Sequence, residues 1–203
     1  MRRLAVCLAL TLALGACGAE PVWAPDADVA RARFVSGEPP SITLYTVVRK
    51  VGGEGAHSGL MINGSQRVMF DPAGTWHHPT VPERNDLHYG VTERMRKFYI
   101  DYHARETYDV IEHRVPVSAE VAEHAIRVAE AYGAVNKAFC GNSVSDILND
   151  LPGFETVPHT FFPNKVMKAF AKLPGVTTKV HVDGDPDNNS GVLLIQKNQA
   201  PAE

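Results

Sequence analysis

Three cysteines occur in the chain, and only one of them lies outside the apolar N-terminal leader. Cys7 sits inside that leader and Cys17 closes it, which leaves Cys140 as the one unmodified thiol of an exported chain. A lone thiol cannot be a structural disulfide. Cys140 stands in Phe139-Cys140-Gly141-Asn142-Ser143, at the expected opening of a helix, where aligned peptide dipoles favour a thiolate. A thiolate nucleophile needs a base within reach, and that base needs a third group to orient it. His57, in Ala56-His57-Ser58-Gly59-Leu60, is the candidate base, and Asp71 is the candidate orienting group.

Each of these residues also has a plainer reading. Cys140 shares a helical stripe with Val144, Ile147 and Leu151, and free cysteines often serve as small core residues. Against that stand an oxidising compartment, where an idle thiol is a liability, and the small neighbours Gly141, Asn142 and Ser143. His57 is one of nine histidines; its position after a glycine-rich loop and before Gly59, where another element can approach closely, sets it apart. Asp71 can equally cap the Asp71-Pro72-Ala73-Gly74 bend.

The elements that must position these groups follow from patterning. Ser41 to Val48 is β-branched and aromatic, which predicts a strand. Ala56 to Ile62 and Gln66 to Asp71, around Asn63-Gly64-Ser65, predict a hairpin. A two-residue Asn-Gly turn would mix apolar with polar partners. A three-residue loop pairs Ile62 with Gln66, Leu60 with Val68 and Ser58 with Phe70, which cleans one face and sets His57 directly opposite Asp71. Helices are expected over Thr92 to Glu106, from the Ser118 cap to Gly133, from an Asn136 cap through Leu151, and from Pro163 to Leu173. Strands are expected at Tyr108 to Val117, Thr177 to Val182 and Gly191 to Gln196, the last two flanking a turn at Asp183 to Asp187. The sum is one α+β domain over residues 41–197, with a tail over 198–203.

A histidine on an early strand within His57-Ser58-Gly59-Leu60, a polar residue one strand later and a cysteine opening a helix resemble the circularly permuted NlpC-type papain-like hydrolases. That group contains the lecithin:retinol acyltransferase-like proteins. The resemblance covers about Ser41 to Phe154. It implies an antiparallel sheet or half-barrel packed against the cysteine helix, with Cys140 as nucleophile, His57 as base and Asp71 as orienting residue. Family members commonly carry asparagine directly before the cysteine, where this chain has Phe139. The implied chemistry is acyl transfer through a thioester, with helix-start N–H groups holding the oxyanion. Tyr45 and Asn136 are both candidates to assist there, and the sequence does not choose between them.

The N-terminus supplies location. Arg2 and Arg3 precede an apolar run from Leu4 to Leu14, too short to span a bilayer, and residues 1–16 read as a signal peptide. Leu14-Gly15-Ala16-Cys17 resembles a bacterial lipobox, which implies a fatty-acyl (palmitate-type) anchor on Cys17 and a periplasm-facing envelope lipoprotein. Gly18 at the next position leans towards the outer membrane. Residues 17–40, rich in Ala, Pro, Gly and Asp, read as a flexible tether. The formal net charge of −3 becomes more acidic once Arg2 and Arg3 are removed, and no basic patch points to nucleic acid. The expected partners are the membrane, through the lipid, and a cell-wall peptide or acyl substrate, with the protein a monomer.

No cofactor and no metal are expected. His77 and His78 are adjacent and so point apart, and with His88 they lack a ligand spacing. Asp183, Asp185 and Asp187 begin like a calcium loop, but Asn188 and Leu194 stand where its glycine and glutamate belong.

Overall fold

The computed structural model describes residues 18–198, so the leader, Cys17 and residues 199–203 lie outside the described part. Strand β1 (Ser41–Arg49) is the axis of the sheet, pairing antiparallel with β2 (Gly55–Asn63) on one side and β6 (Tyr108–Pro116) on the other. Beyond β2 come β3 (Arg67–Phe70), β5 (Leu87–Tyr89) and the short β4 (Glu83–Arg84). Beyond β6 lies β7 (Thr177–His181), an exposed edge. The seven strands pair as antiparallel neighbours, and with six helices among the described residues the architecture is α+β.

Strand periodicity sorts the side chains onto two faces. Ile42, Leu44, Leu60, Ile62, Val68 and Phe70 point to one face and are fully buried there. Helices α3 (Ala119–Tyr132), α4 (Cys140–Asn149) and α5 (Pro163–Phe170) cover them, through Ala125, Ile126, Val144, Ile147, Val166 and Phe170. Tyr45, Val47, Met61, Met69 and Val110 point to the other face, under α2 (Glu93–His103), whose Met95, Phe98, Tyr99 and Tyr102 are buried. Local signals end the helices as expected. The Thr92 hydroxyl accepts from the Met95 N–H and the Ser118 hydroxyl from the Val121 N–H, and Gly133 stops α3 with a φ of 87°.

Several expectations need correction. The hairpin has a three-residue loop, but it spans Gly64 to Gln66, pairing Leu60 with Phe70 and Ile62 with Val68. That is a slip of two residues from the expected register, so every side chain keeps its face while changing its partner. Residues 191–196 are not a strand: they belong to α6 (Asn189–Asn198), whose start is held by Asn188 Oδ1 accepting from the Gly191 N–H at 3.0 Å. A short apolar run such as Val192 to Ile195 is ambiguous between strand and helix. Packing of Val192 and Leu193 against the second cluster goes with the helix. The acidic stretch 183–187 is therefore a link from β7 to α6 rather than a hairpin turn. Within it Asp185 meets Arg105, and Asp187 accepts from the Thr107 N–H.

The stretch read as a tether is attached along part of its length. It carries α1 (Asp26–Ala32), the Ala24 N–H donates to Glu83 O, and the Arg67 N–H donates to Phe34 O. Among the described residues, no helix is long and apolar enough to cross a membrane.

Candidate active site

Cys140 is the first residue of α4. Phe139 occupies the N-cap position and supplies no side-chain cap, so the first-turn N–H groups are not consumed by a capping oxygen. Asn136, expected as the cap, instead lends its backbone carbonyl to the Phe139 N–H at 3.2 Å in the preceding turn. Ala138 in that turn has a φ of 71°, a left-handed conformation that a residue with a Cβ rarely adopts. Strain of this kind collects where the fold must present one residue in a fixed way. Gly141 is required here, because a Cβ on it would come within 2.6 Å of the Phe161 carbonyl oxygen.

His57 lies on β2 beside an irregularity in its pairing with β1. Val47 pairs with His57 but Val48 pairs with Gly55, which leaves Ala56 as the extra residue of a bulge. Bulges re-aim side chains, and this one sits where the imidazole must turn towards α4. Asp71 follows β3 and is fully enclosed. The observed register sets it across from Gly59, not from His57, so Asp71 reaches His57 diagonally. Gly59 has no side chain to obstruct that path. The contact is direct, with His57 Nε2 and Asp71 Oδ1 2.7 Å apart. The same imidazole is hydrogen-bonded to the Cys140 thiol.

The electrostatics are those of a coupled trio. For His57, burial opposes the charged form, but the charge of Asp71 and the hydrogen bonds to Asp71 and Cys140 outweigh it, and its pKa is pushed up to about 10. Burial likewise raises the Asp71 carboxyl, yet the facing His57 holds it well below the usual carboxylate range. Burial also raises the Cys140 thiol. The hydrogen bond and charge of His57, with N–H donors from Ser58 and Gly141, reverse that and hold the thiol below its ordinary value. Both directions favour the charged forms, a thiolate facing an imidazolium.

Tyr99, which the sequence did not single out, completes the support. Its hydroxyl donates to Asp71 Oδ1 at 2.8 Å. A Cβ on Gly59 would stand 2.2 Å from that hydroxyl, and one on Gly74 would stand 1.8 Å from Asp71 Oδ2, so both glycines make room for the carboxylate and its donor. Tyr99 sits on the expected helix at i, i+4 from His103, and this spacing was the available signal. His103 lies beside His57 with the two rings nearly parallel, centroids 5.5 Å apart.

The two oxyanion candidates are not among the groups that hydrogen-bond the sulfur, which are His57, Ser58 and Gly141. The Tyr45 hydroxyl meets Met61 Sδ at 4.0 Å and interacts with Arg96, and burial raises its pKa. Asn136 is exposed to solvent. Donors of the kind an oxyanion needs are instead the Ser58 and Gly141 N–H groups already turned to the sulfur.

His57 and His103 line a cleft of about 430 Å³ with Val47, Gly74, Thr75 and Tyr102. It shares Gly74, Thr75 and Tyr102 with a second hollow of about 490 Å³, whose walls include Gly18, Glu20 and Trp76. Two groups of metal-type donors converge among the described residues: His57, Asp71 and His103, and separately Asp101, Asp183 and Asp185. The first is the His57–Asp71 pair with His103 beside it, and the second is neutralised in part by Arg105, which contacts Asp101 and Asp185. His77 donates towards the Thr75 carbonyl, and His88 is buried against Trp76, its pKa lowered by burial to about 4.

Comparison with protein-family models, with curated proteins and with solved structures found no match.

Proposed function

We propose that the chain is a lipid-anchored thiol hydrolase or acyltransferase of the bacterial envelope, acting on amide or ester bonds through Cys140, His57 and Asp71. The observation that carries this reading is a single imidazole held at Nε2 by a buried carboxylate and hydrogen-bonded to the Cys140 thiol. An antiparallel sheet packed against the helix that opens at Cys140 supports a permuted NlpC-type papain-like architecture.

In this reading the Cys140 thiolate attacks the carbonyl carbon of the substrate. Backbone N–H groups around the start of α4 hold the developing oxyanion, and the His57 imidazolium gives its proton to the leaving group. Asp71 keeps the ring oriented and stabilises its cation. A thioester remains, to be taken by water or another acceptor. Cell-wall peptides are the substrate class that envelope location and the resemblance favour. The anchor is the lipid on Cys17, which immediately precedes Gly18 in the wall of the second hollow.

The test is alkylation of the folded protein by iodoacetamide near neutral pH, with Cys7 and Cys17 replaced by serine. Fast labelling of Cys140 that collapses in His57→Ala is the expected result. Slow labelling that appears only on unfolding would leave a non-catalytic envelope lipoprotein that uses the fold for binding or scaffolding.

A further inference from the structure

Two imidazoles and a carboxylate converge beside the cleft, and the thiol chemistry uses only one of the imidazoles. One donor atom from each of His57, Asp71 and His103 lies within 4.8 Å of the other two. The His57 and His103 ring centroids are 5.5 Å apart, too far for face-to-face contact. Two imidazoles bound to one zinc ion at about 2.0–2.1 Å place their centroids about 5 Å apart, close to the separation seen here.

The supporting bonds are those of metal ligands. His103 Nδ1 lies 2.8 Å from the Tyr99 carbonyl oxygen, which can only accept, so Nδ1 carries the hydrogen and the neutral ring keeps its lone pair on Nε2. A ligating histidine gives its other N–H to a carbonyl in this way, which fixes tautomer and orientation. Nε2 makes no hydrogen bond to any described residue. On the carboxylate, Oδ1 is taken by His57 and by the Tyr99 hydroxyl. Oδ2 is buried and makes no hydrogen bond among the described residues, a costly state that a cation would relieve. It points at Gly74, where a Cβ would stand 1.8 Å from it, and Gly74 lines the cleft of about 430 Å³ with His57 and His103. The ion therefore has a way in, with room for water as a further ligand. Two nitrogens and one carboxylate oxygen suit zinc, whereas magnesium and calcium take oxygen ligands.

We infer that His57, Asp71 and His103 form a Zn²⁺ site, with water from the cleft as a fourth ligand, and that zinc bound there inhibits Cys140 by occupying its base. Binding is a property of these three side chains, whereas the inhibition rests on the activity proposed above. On binding, a His57 N–H gives its proton to solvent and the freed nitrogen joins the metal, while His103 Nε2 and the Asp71 carboxylate join with lone pairs they already hold. A ring held by the metal no longer cycles between imidazolium and imidazole. It neither protonates a leaving group nor takes a proton from the acyl acceptor.

Equilibrium dialysis against Zn²⁺, with Cys7, Cys17 and Cys140 replaced by serine, isolates the site from every thiol. One tightly held Zn²⁺ per chain is expected, with affinity lower by about a hundredfold in His103→Asn and in His57→Asn. No binding, or binding that neither substitution changes, overturns the site. Hydrolysis of p-nitrophenyl acetate by the protein with Cys140 intact tests the inhibition, read against each protein's own metal-free rate. The rate should fall in step with the occupancy found by dialysis and recover with EDTA, and His103→Asn should need about a hundredfold more Zn²⁺. No inhibition, or inhibition unchanged in that variant, overturns the regulatory role. A protein that hydrolyses nothing without metal overturns the thiol activity and the inhibition with it, while the dialysis result decides the site independently.

Discussion

Replacing Asp71 with asparagine tests the electrostatic core of the site with almost no change of shape. In the wild-type protein His57 is held up to about 10 chiefly against its own burial, and the facing Asp71 is the main favourable cause. Asparagine keeps an acceptor for His57 and for the Tyr99 hydroxyl but removes the charge. Burial then dominates, and the ring falls to its ordinary value of roughly 6.5 or lower. At about pH 7.5, no more than roughly a tenth of the rings then carry a proton, where nearly all did before. The thiolate loses its main counter-charge, and Cys140 returns towards the range of an ordinary thiol, roughly 8.5. The assay is the rate of iodoacetamide alkylation from about pH 5 to pH 9. The wild-type protein should be reactive across the neutral range. The variant should be about tenfold or more slower at pH 7.5 and should gain rate only as the pH approaches that of a free thiol. An unchanged pH profile in a variant that remains folded would refute the assignment of Asp71 as the charge that sustains the pair.

Gly59→Ala places a methyl group 2.2 Å from the Tyr99 hydroxyl and 3.5 Å from Asp71 Oδ1. Tyr99 is fully buried and cannot swing clear, so urea unfolding should show a loss of about 1–3 kcal/mol, and alkylation of Cys140 should slow as the carboxylate loses its donor. The pH dependence of stability has a clear acid limb. His88 and His103 are held neutral with folded pKa values near 4, below their unfolded 6.5. Their contribution is therefore fully present above pH 6.5 and is lost as the pH falls through 4. The slope approaches ~1.4 kcal/mol per pH unit for the enclosed His88 and is smaller for His103, which faces the cleft. Asp71 contributes little over that window, because its unfolded pKa of about 3.9 lies at the lower end of it, and its stabilisation is lost only below that. Urea midpoints measured from pH 7 to pH 4 should fall, and His88→Gln should flatten the fall; a slope untouched by that substitution would refute the assignment.

Much of the scaffold is written in local patterns. Alternation in β1 and around the hairpin marks which side chains go inward, and the Thr92 and Ser118 hydroxyls and Gly133 mark where helices begin and end. These signals depend on neighbours a few residues apart, so a single chain carries them complete. The stripe of Cys140, Val144, Ile147 and Leu151 was legible for the same reason. Both readings of it describe part of the structure: the stripe is buried, and Cys140 at its head turns to His57.

What the sequence determined by itself is the inventory: one thiol at a helix start, an imidazole after a glycine-rich loop, a carboxylate one strand later. Tertiary structure decided how they meet. Both hairpin registers put Asp71 on the face of His57, and alternation cannot tell apart two pairings that differ by an even step. Only the packed sheet places the carboxylate across Gly59, where it reaches the ring at an angle. Residues 191–196 became helix because a short apolar run has no period of its own and takes the shape of the surface it covers. Tyr99 and His103 join the site because α2 crosses the second face of the sheet, and how a helix lies on a sheet follows from side chains far apart in the chain.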